Sequence, residues 1–182
     1  QTLEATHLVE TGERLLTART RLTRAMDALD EFVARPQSEQ TLEEFTRLET
    51  ELAQATEAFD QARTQFDVAS RRVQETIRDL QRQALSEGLS RSDIHATTGP
   101  VLREIRDLTT EMEETATELR DTTLGLIQSR VGTRLTRNDQ ERQEREAREA
   151  ARLQADTRLA EGMDQTLEAT HLVETGERLL TA

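Results

Sequence analysis

The sequence predicts an all-α fold, an elongated antiparallel three-helix bundle, and three observations lead there. Leu8, Leu15, Leu22 and Leu29 recur every seven residues, as do Phe45, Leu52, Phe59, Phe66, Val73 and Leu80, which is the spacing of side chains that face a partner helix. Pro36 and Pro100 are the only prolines and mark the ends of long helical stretches. The first eighteen residues, Gln1 to Ala18, return unchanged as Gln165 to Ala182. Residues 1–164 therefore read as one full tandem repeat and 165–182 as the start of the next, identical to 1–18.

Composition narrows the class. An apolar content of 34% is low for a compact globule and usual for slender bundles with a narrow buried seam. Ala, Leu, Glu, Arg and Gln favour helix. Thr does not, and its abundance is expected to be offset by packing. A net charge of −12 excludes non-specific attraction to nucleic acid or anionic membrane. No run of roughly eighteen apolar residues offers a membrane span. The absence of cysteine excludes disulfides, thiolate chemistry and cysteine-based zinc sites. All 24 basic residues are Arg, whose planar fork meets carboxylates better than Lys does.

The first helix is expected over 1–35. Its leucine seam is completed by Ala18, Ala25 and Phe32 three residues after Leu15, Leu22 and Leu29, and it stops at Arg35 because a residue before proline disfavours helical geometry. The second helix is expected over 39–86, with Ser38 and Thr41 as competing N-caps and Thr41 with Glu44 as a capping box. Along it, Leu48, Ala55, Ala62 and Ala69 fill the position paired with the large heptad residues. Alternating large and small side chains lets two other helices approach this face. Gly88 is placed to end the helix, and 87–99 to be a connector.

Pro100 is expected to open a third helix over 100–164, since proline suits the first helical position. Ile105, Leu108, Met112, Leu119 and Leu126 form its seam; Leu124, Ile127, Val131 and Leu135 then drift off the heptad, which implies a change of partner. From Asn138 to Arg158 charges replace the apolar pattern, and Glu141 with Arg145, Glu144 with Arg148, and Arg145 with Glu149 stand at i,i+4 spacing. With no proline after Pro100, the third helix is expected to continue without a break into the first helix of the next repeat.

Three long helices per unit, the last running into the first of the next, resemble the spectrin-repeat family. Two departures accompany that resemblance: the chain has no Trp, and its unit is longer. Long, near-identical, Arg-rich repeats are also similar in style to the giant repeat proteins of the trypanosomatid tripartite attachment complex. That second resemblance implies a cytoskeletal linker between basal body and mitochondrion.

Candidate chemistry is sparse. His7 and His171 are one position seen twice, His95 is the only other histidine, and none has metal-ligand spacing. Neighbouring carboxylates such as Glu113 and Glu114 follow from the abundance of Glu, and Gly99-Pro100 lacks the glycine-rich, Lys-bearing pattern of a phosphate loop. No catalytic, cofactor-binding or metal site is expected, and the chain does not read as an enzyme. Gly12, Gly125, Gly132 and Gly162 lie in helical sequence and read as points of close packing or, at Gly12 and Gly162, as a compliant junction.

The expected function is mechanical: a spacer that sets a distance and bears tension, advancing ~80 Å per unit by the helical rise. A multivalent binding scaffold and a bacterial surface stalk are the alternatives. The expected neighbours are other repeats of the same chain, with protein partners at non-repeated termini and with no nucleic acid or direct membrane contact. Pairing between chains is left open by the heptads, and the expected setting is cytoplasmic and cytoskeletal.

Overall fold

The structure, a computed structural model, describes residues 3–181. Gln1, Thr2 and Ala182, which the expected first helix and the repeated segment include, lie outside the described residues. Among the described residues are four α-helices and no strand: α1 (Leu3–Ala34), α2 (Leu42–Ser86), α3 (Arg91–Ser129) and α4 (Val131–Thr181), with a 3-10 turn at Gln37–Glu39. The chain divides into two units, residues 1–132 and 133–182. No described helix is long and apolar enough to cross a membrane.

In the first unit the heptads become a core. Leu15, Leu22, Met26, Phe59, Phe66 and Met112 bury together with Ala55 and Ala62, and Leu8, Leu52, Leu108 and Leu119 pack at its edge, so α1, α2 and α3 all contribute. Val73, Ile77 and Ile105 form a second cluster with Leu8 and Leu102. Leu80, which the heptad would place in the seam, is exposed, and Ile77 is the last buried side chain of α2. Glu4 meets Thr76, Gly12 lies against Phe66, Arg21 meets Gln54 and Phe32 stacks near Phe45, so partner numbers fall along α2 as they rise along α1.

The turn between α1 and α2 is held by side chains. Gln40 donates its amide to the carbonyls of Phe32, Val33 and Arg35 at 3.0, 3.2 and 3.2 Å, satisfying acceptors that a helix C-terminus leaves open. Arg35 donates to the Glu44 carboxylate at 2.8 Å and stacks over the Phe32 ring, and that hydrogen bond raises the guanidinium pKa above its ordinary value. The second helix starts at Leu42, not at residue 39, because 37–39 close a 3-10 turn in which Glu39 N–H donates to Pro36 O at 2.9 Å. Thr41 is the N-cap; its hydroxyl accepts from Glu44 N–H at 3.2 Å.

At the end of α2, Gly88 takes φ +93°. Its N–H donates to Leu85 O at 3.1 Å and Leu89 N–H to Ala84 O at 3.0 Å, the paired bonds of a Schellman cap.

Two expectations about the third helix are overturned. It does not begin at Pro100: Ser90 caps it by accepting from Asp93 N–H at 3.1 Å, and Pro100 sits inside α3, so the connector shrinks from 87–99 to 87–90. The residue before Pro100 is Gly99, which lacks the Cβ that would crowd the pyrrolidine ring, and the first turns of α3 are anchored on α2 by Gln81 donating to the Thr98 hydroxyl at 2.9 Å. Nor does a single helix fill 100–164. Arg130 adopts a left-handed conformation at φ 54°, its N–H donating to Ile127 O at 3.3 Å, and α3 ends there. Val131 N–H turns to the Ser129 hydroxyl at 3.4 Å and starts α4.

The second unit is α4 from residue 133 onward, helical through Thr181. The same device recurs there and in the first unit: exposed threonines donate to the carbonyl four residues back, as Thr17 to Glu13, Thr50 to Thr46, Thr157 to Leu153 and Thr166 to Gly162. Thr is thus accommodated by hydroxyl bonding to the helix backbone even where nothing packs on it.

Pro100→Ala is expected to restore a helix hydrogen bond and raise stability by up to about 3 kcal/mol, whereas Gly88→Ala should lower it by about 1 kcal/mol through the left-handed penalty. Urea unfolding followed by circular dichroism separates the two, and a destabilised Pro100→Ala would contradict this account of α3.

Candidate helix-docking site

The one surface whose chemistry the chain displays in two states is the face of the repeated segment. In α1 it is seated. Leu15 is fully buried, Ala18 is buried and Leu8 is half-buried against both clusters. Thr11, 1% exposed, occupies the seam and donates its hydroxyl to His7 O at 2.9 Å and Leu8 O at 3.0 Å, so burial leaves no orphan polar atom. Gly12 brings the α1 backbone close to two neighbours: a Cβ there would stand 3.7 Å from Phe66 of α2 and 3.9 Å from Leu108 of α3.

Polar contacts fix the register around that seam. Thr76 donates to the Glu4 carboxylate at 2.6 Å. Arg19 reaches α3, donating from Nε to the Thr115 hydroxyl and from a terminal nitrogen to Glu111, both at 3.1 Å. Thr115 is itself buried and donates back to Glu111 O at 3.0 Å. The Arg19–Glu111 ion pair is partly exposed and worth little by itself; its value is in orientation.

In α4 the same residues are presented and unseated. Leu172, the counterpart of Leu8, is 71% exposed, and Leu179, the counterpart of Leu15, is 74% exposed. Gly176 has nothing within 4 Å of a would-be Cβ. Local geometry is nonetheless shared: Thr175 donates to His171 O at 2.9 Å, as Thr11 does to His7 O.

Other positions singled out from the sequence are not brought together. His7, His95 and His171 are exposed, and the His95 ring lies against Gly99. Glu113 and Glu114 are exposed. Among the described residues no three His, Asp or Glu side chains gather as a metal site would require. Gly125 and Gly162 have open space around them, whereas a Cβ at Gly132 would approach the Phe45 ring to 3.0 Å. In the charged stretch, Arg148 pairs with Glu144 at 4.0 Å, while Arg142 forks to Asp139 at 2.7 Å and Glu146 at 3.3 Å. The Asp139 bond raises the Arg142 pKa above its ordinary value.

Thr11, Thr115 and Gln40 are not singled out by the sequence pattern. The first two do carry a signal: Thr11 lies three residues after Leu8 and four before Leu15, and Thr115 three after Met112 and four before Leu119, both on seam spacing. A pattern that counts only apolar residues passes over them. Gln40 gives no such signal, because its partners depend on how the turn folds.

Compared with known proteins, the chain matches no family model, and no curated protein and no solved structure is significantly similar to it.

The duplicated sequence supplies its own control. Leu15→Ala should cost about 2–5 kcal/mol, and Leu179→Ala, the same substitution in the same local sequence, should stay within about 0.5 kcal/mol. Equal losses in thermal unfolding would mean that Leu15 is not distinguished by its seat.

Proposed function

We propose that this chain is part of a structural spacer: a tandem helical repeat whose unit is a spectrin-like, antiparallel three-helix bundle, used to set a distance and bear tension. The observation that carries this reading is α4. One helix, Val131–Thr181, crosses the boundary between Asp164 and Gln165 without a break and brings the repeated segment into the helical state it has in α1. At a rise of 1.5 Å per residue such a helix is about 75 Å long. A continuous helix transmits axial load and torsion across a repeat boundary better than a loop, whose backbone rotates freely.

Three further features favour the same role. The falling order of α1–α2 partners fits antiparallel packing, and α3 shares their core. The stretch from Asp139 to Glu149 holds ion pairs at i,i+3 and i,i+4 spacing, which support a solvated helix by roughly 0.2–0.5 kcal/mol each. Strong acidic charge keeps a long array soluble. The role is that of a cytoskeletal linker, of the kind that ties a basal body to a mitochondrion and so segregates an organelle genome.

Under load, loss of bundle packing would release chain: 164 residues extend to roughly 550 Å. Pulling a four-unit protein end to end is expected to give evenly sized unfolding steps, one class per unit. A featureless extension curve would count against a load-bearing bundle.

A further inference from the structure

We infer that Arg19, Thr115 and Glu111 form a shear clamp that holds α1 and α3 in register under axial load, with Thr115 as the residue that marks the register. This rests on the spacer reading and names the contact on which its load bearing depends.

Contacts along the seam show that α1 and α3 run in the same direction. Leu8 packs on the cluster that contains Ile105, a Cβ at Gly12 would stand 3.9 Å from Leu108, and Arg19 reaches Glu111 and Thr115. Gly12 with Leu108 and Arg19 with Thr115 are each 96 residues apart. In the first unit load enters at the N-terminus of α1 and leaves at the C-terminus of α3, while α2 is reached only through its two turns. Those are opposite ends of two parallel helices, so tension drives α1 and α3 lengthwise past each other.

The apolar seam does not by itself define where that sliding stops. Leu108, Met112, Thr115 and Leu119 lie on the seam of α3, and seven residues before them stand Val101, Ile105, Leu108 and Met112. A shift of one heptad thus offers α1 an apolar side chain at each of these places, and apolar burial is non-directional. Glu104 would take the place of Glu111, so a carboxylate is regained as well. What is lost is the hydroxyl, because Leu108 arrives where Thr115 stood.

Thr115 is 1% exposed, set beside the buried, apolar Ile105 and Met112 of α3. A polar side chain in an apolar seam specifies register. Its hydroxyl donates to Glu111 O at 3.0 Å and accepts from Arg19 Nε at 3.1 Å, while a terminal nitrogen of Arg19 donates to the Glu111 carboxylate at 3.1 Å. The planar guanidinium ties the two bonds of Arg19 together, and hydrogen bonds weaken steeply once stretched or bent. Both are therefore loaded at the start of any slide.

Attachment points for a test are clean because the chain has no cysteine. Thiols from Leu3→Cys and Gln128→Cys, at exposed positions, load α1 and α3 in shear. Thiols from Leu3→Cys and Glu87→Cys, also exposed, load the antiparallel α1 and α2 from one end and peel them apart contact by contact. In the full chain held at constant force, Thr115→Val and Arg19→Gln are each expected to shorten the folded lifetime about tenfold in shear and less than about twofold in peeling. The urea midpoint of Thr115→Val should stay where it is. Unchanged shear lifetimes in a unit that otherwise resists load would overturn the clamp and leave the spacer reading standing. Equal shortening in both directions would overturn it too, since that marks a contact supporting the fold without regard to direction. A wild-type unit with no measurable lifetime in either direction would sink the clamp and the spacer reading together. If a variant lowers the urea midpoint, the ratio of its two lifetimes decides, because lost stability shortens both.

Discussion

Alternation of Phe and Ala along α2 is the constraint on which the first unit depends. Phe45, Phe59 and Phe66 are buried, and so are Ala55, Ala62 and Ala69. A helix with large side chains throughout would hold its neighbours apart, and one with small side chains throughout would leave voids; only the alternation lets two helices settle on it at close range with interior packing. The neighbours answer in kind. Leu15, Leu22 and Leu29 of α1 are fully buried, Met112 of α3 fills space with an unbranched chain, and Gly12 lets the α1 backbone draw near Phe66. Every Phe in the chain, Phe32 included, lies in this seam.

Around that seam, polar residues finish what apolar burial cannot specify. Burial fixes which faces meet, but it is non-directional and does not say where a helix ends. The ends are set by hydrogen bonds: Gln40 on three carbonyls of α1, Thr41 and Ser90 on the first turns of α2 and α3, and the paired carbonyls of Ala84 and Leu85 at Gly88. Buried Thr11 and Thr115 are satisfied within their own helices, so they complete the seam without an unpaired group. Arg19 and Arg35 then tie neighbouring helices at its rim.

The repeated segment separates local from tertiary causes in one molecule. Leu3–Thr17 and Leu167–Thr181 are identical and both helical, so helix formation in this segment does not require burial against α2 and α3. Their burial is opposite. Leu15 is enclosed by α2 and α3, and Leu179 meets no such pair. The heptad in this segment is therefore an offer of a surface, and what accepts it is a property of neighbours.

Sequence by itself determined the all-helical state, the seam of α1, the phenylalanine ridge of α2 and Gly88 as a stop, because each rests on interactions within about four residues, and it left Ser38 and Thr41 as rival N-caps until the 3-10 turn at Gln37–Glu39 decided for Thr41. The phase drift after Leu119 was visible too, but not that it resolves as a left-handed Arg130. Nor could local rules place Pro100 inside α3 or Gln40 beneath the end of α1. Gln40 finds its partners only once the turn has folded, and Pro100 stays helical for a physical reason that lies in α2. Proline within a helix costs free energy locally, and it persists where packing on α2, as at Thr98, Leu102 and Ile105, stabilises more than the strain removes.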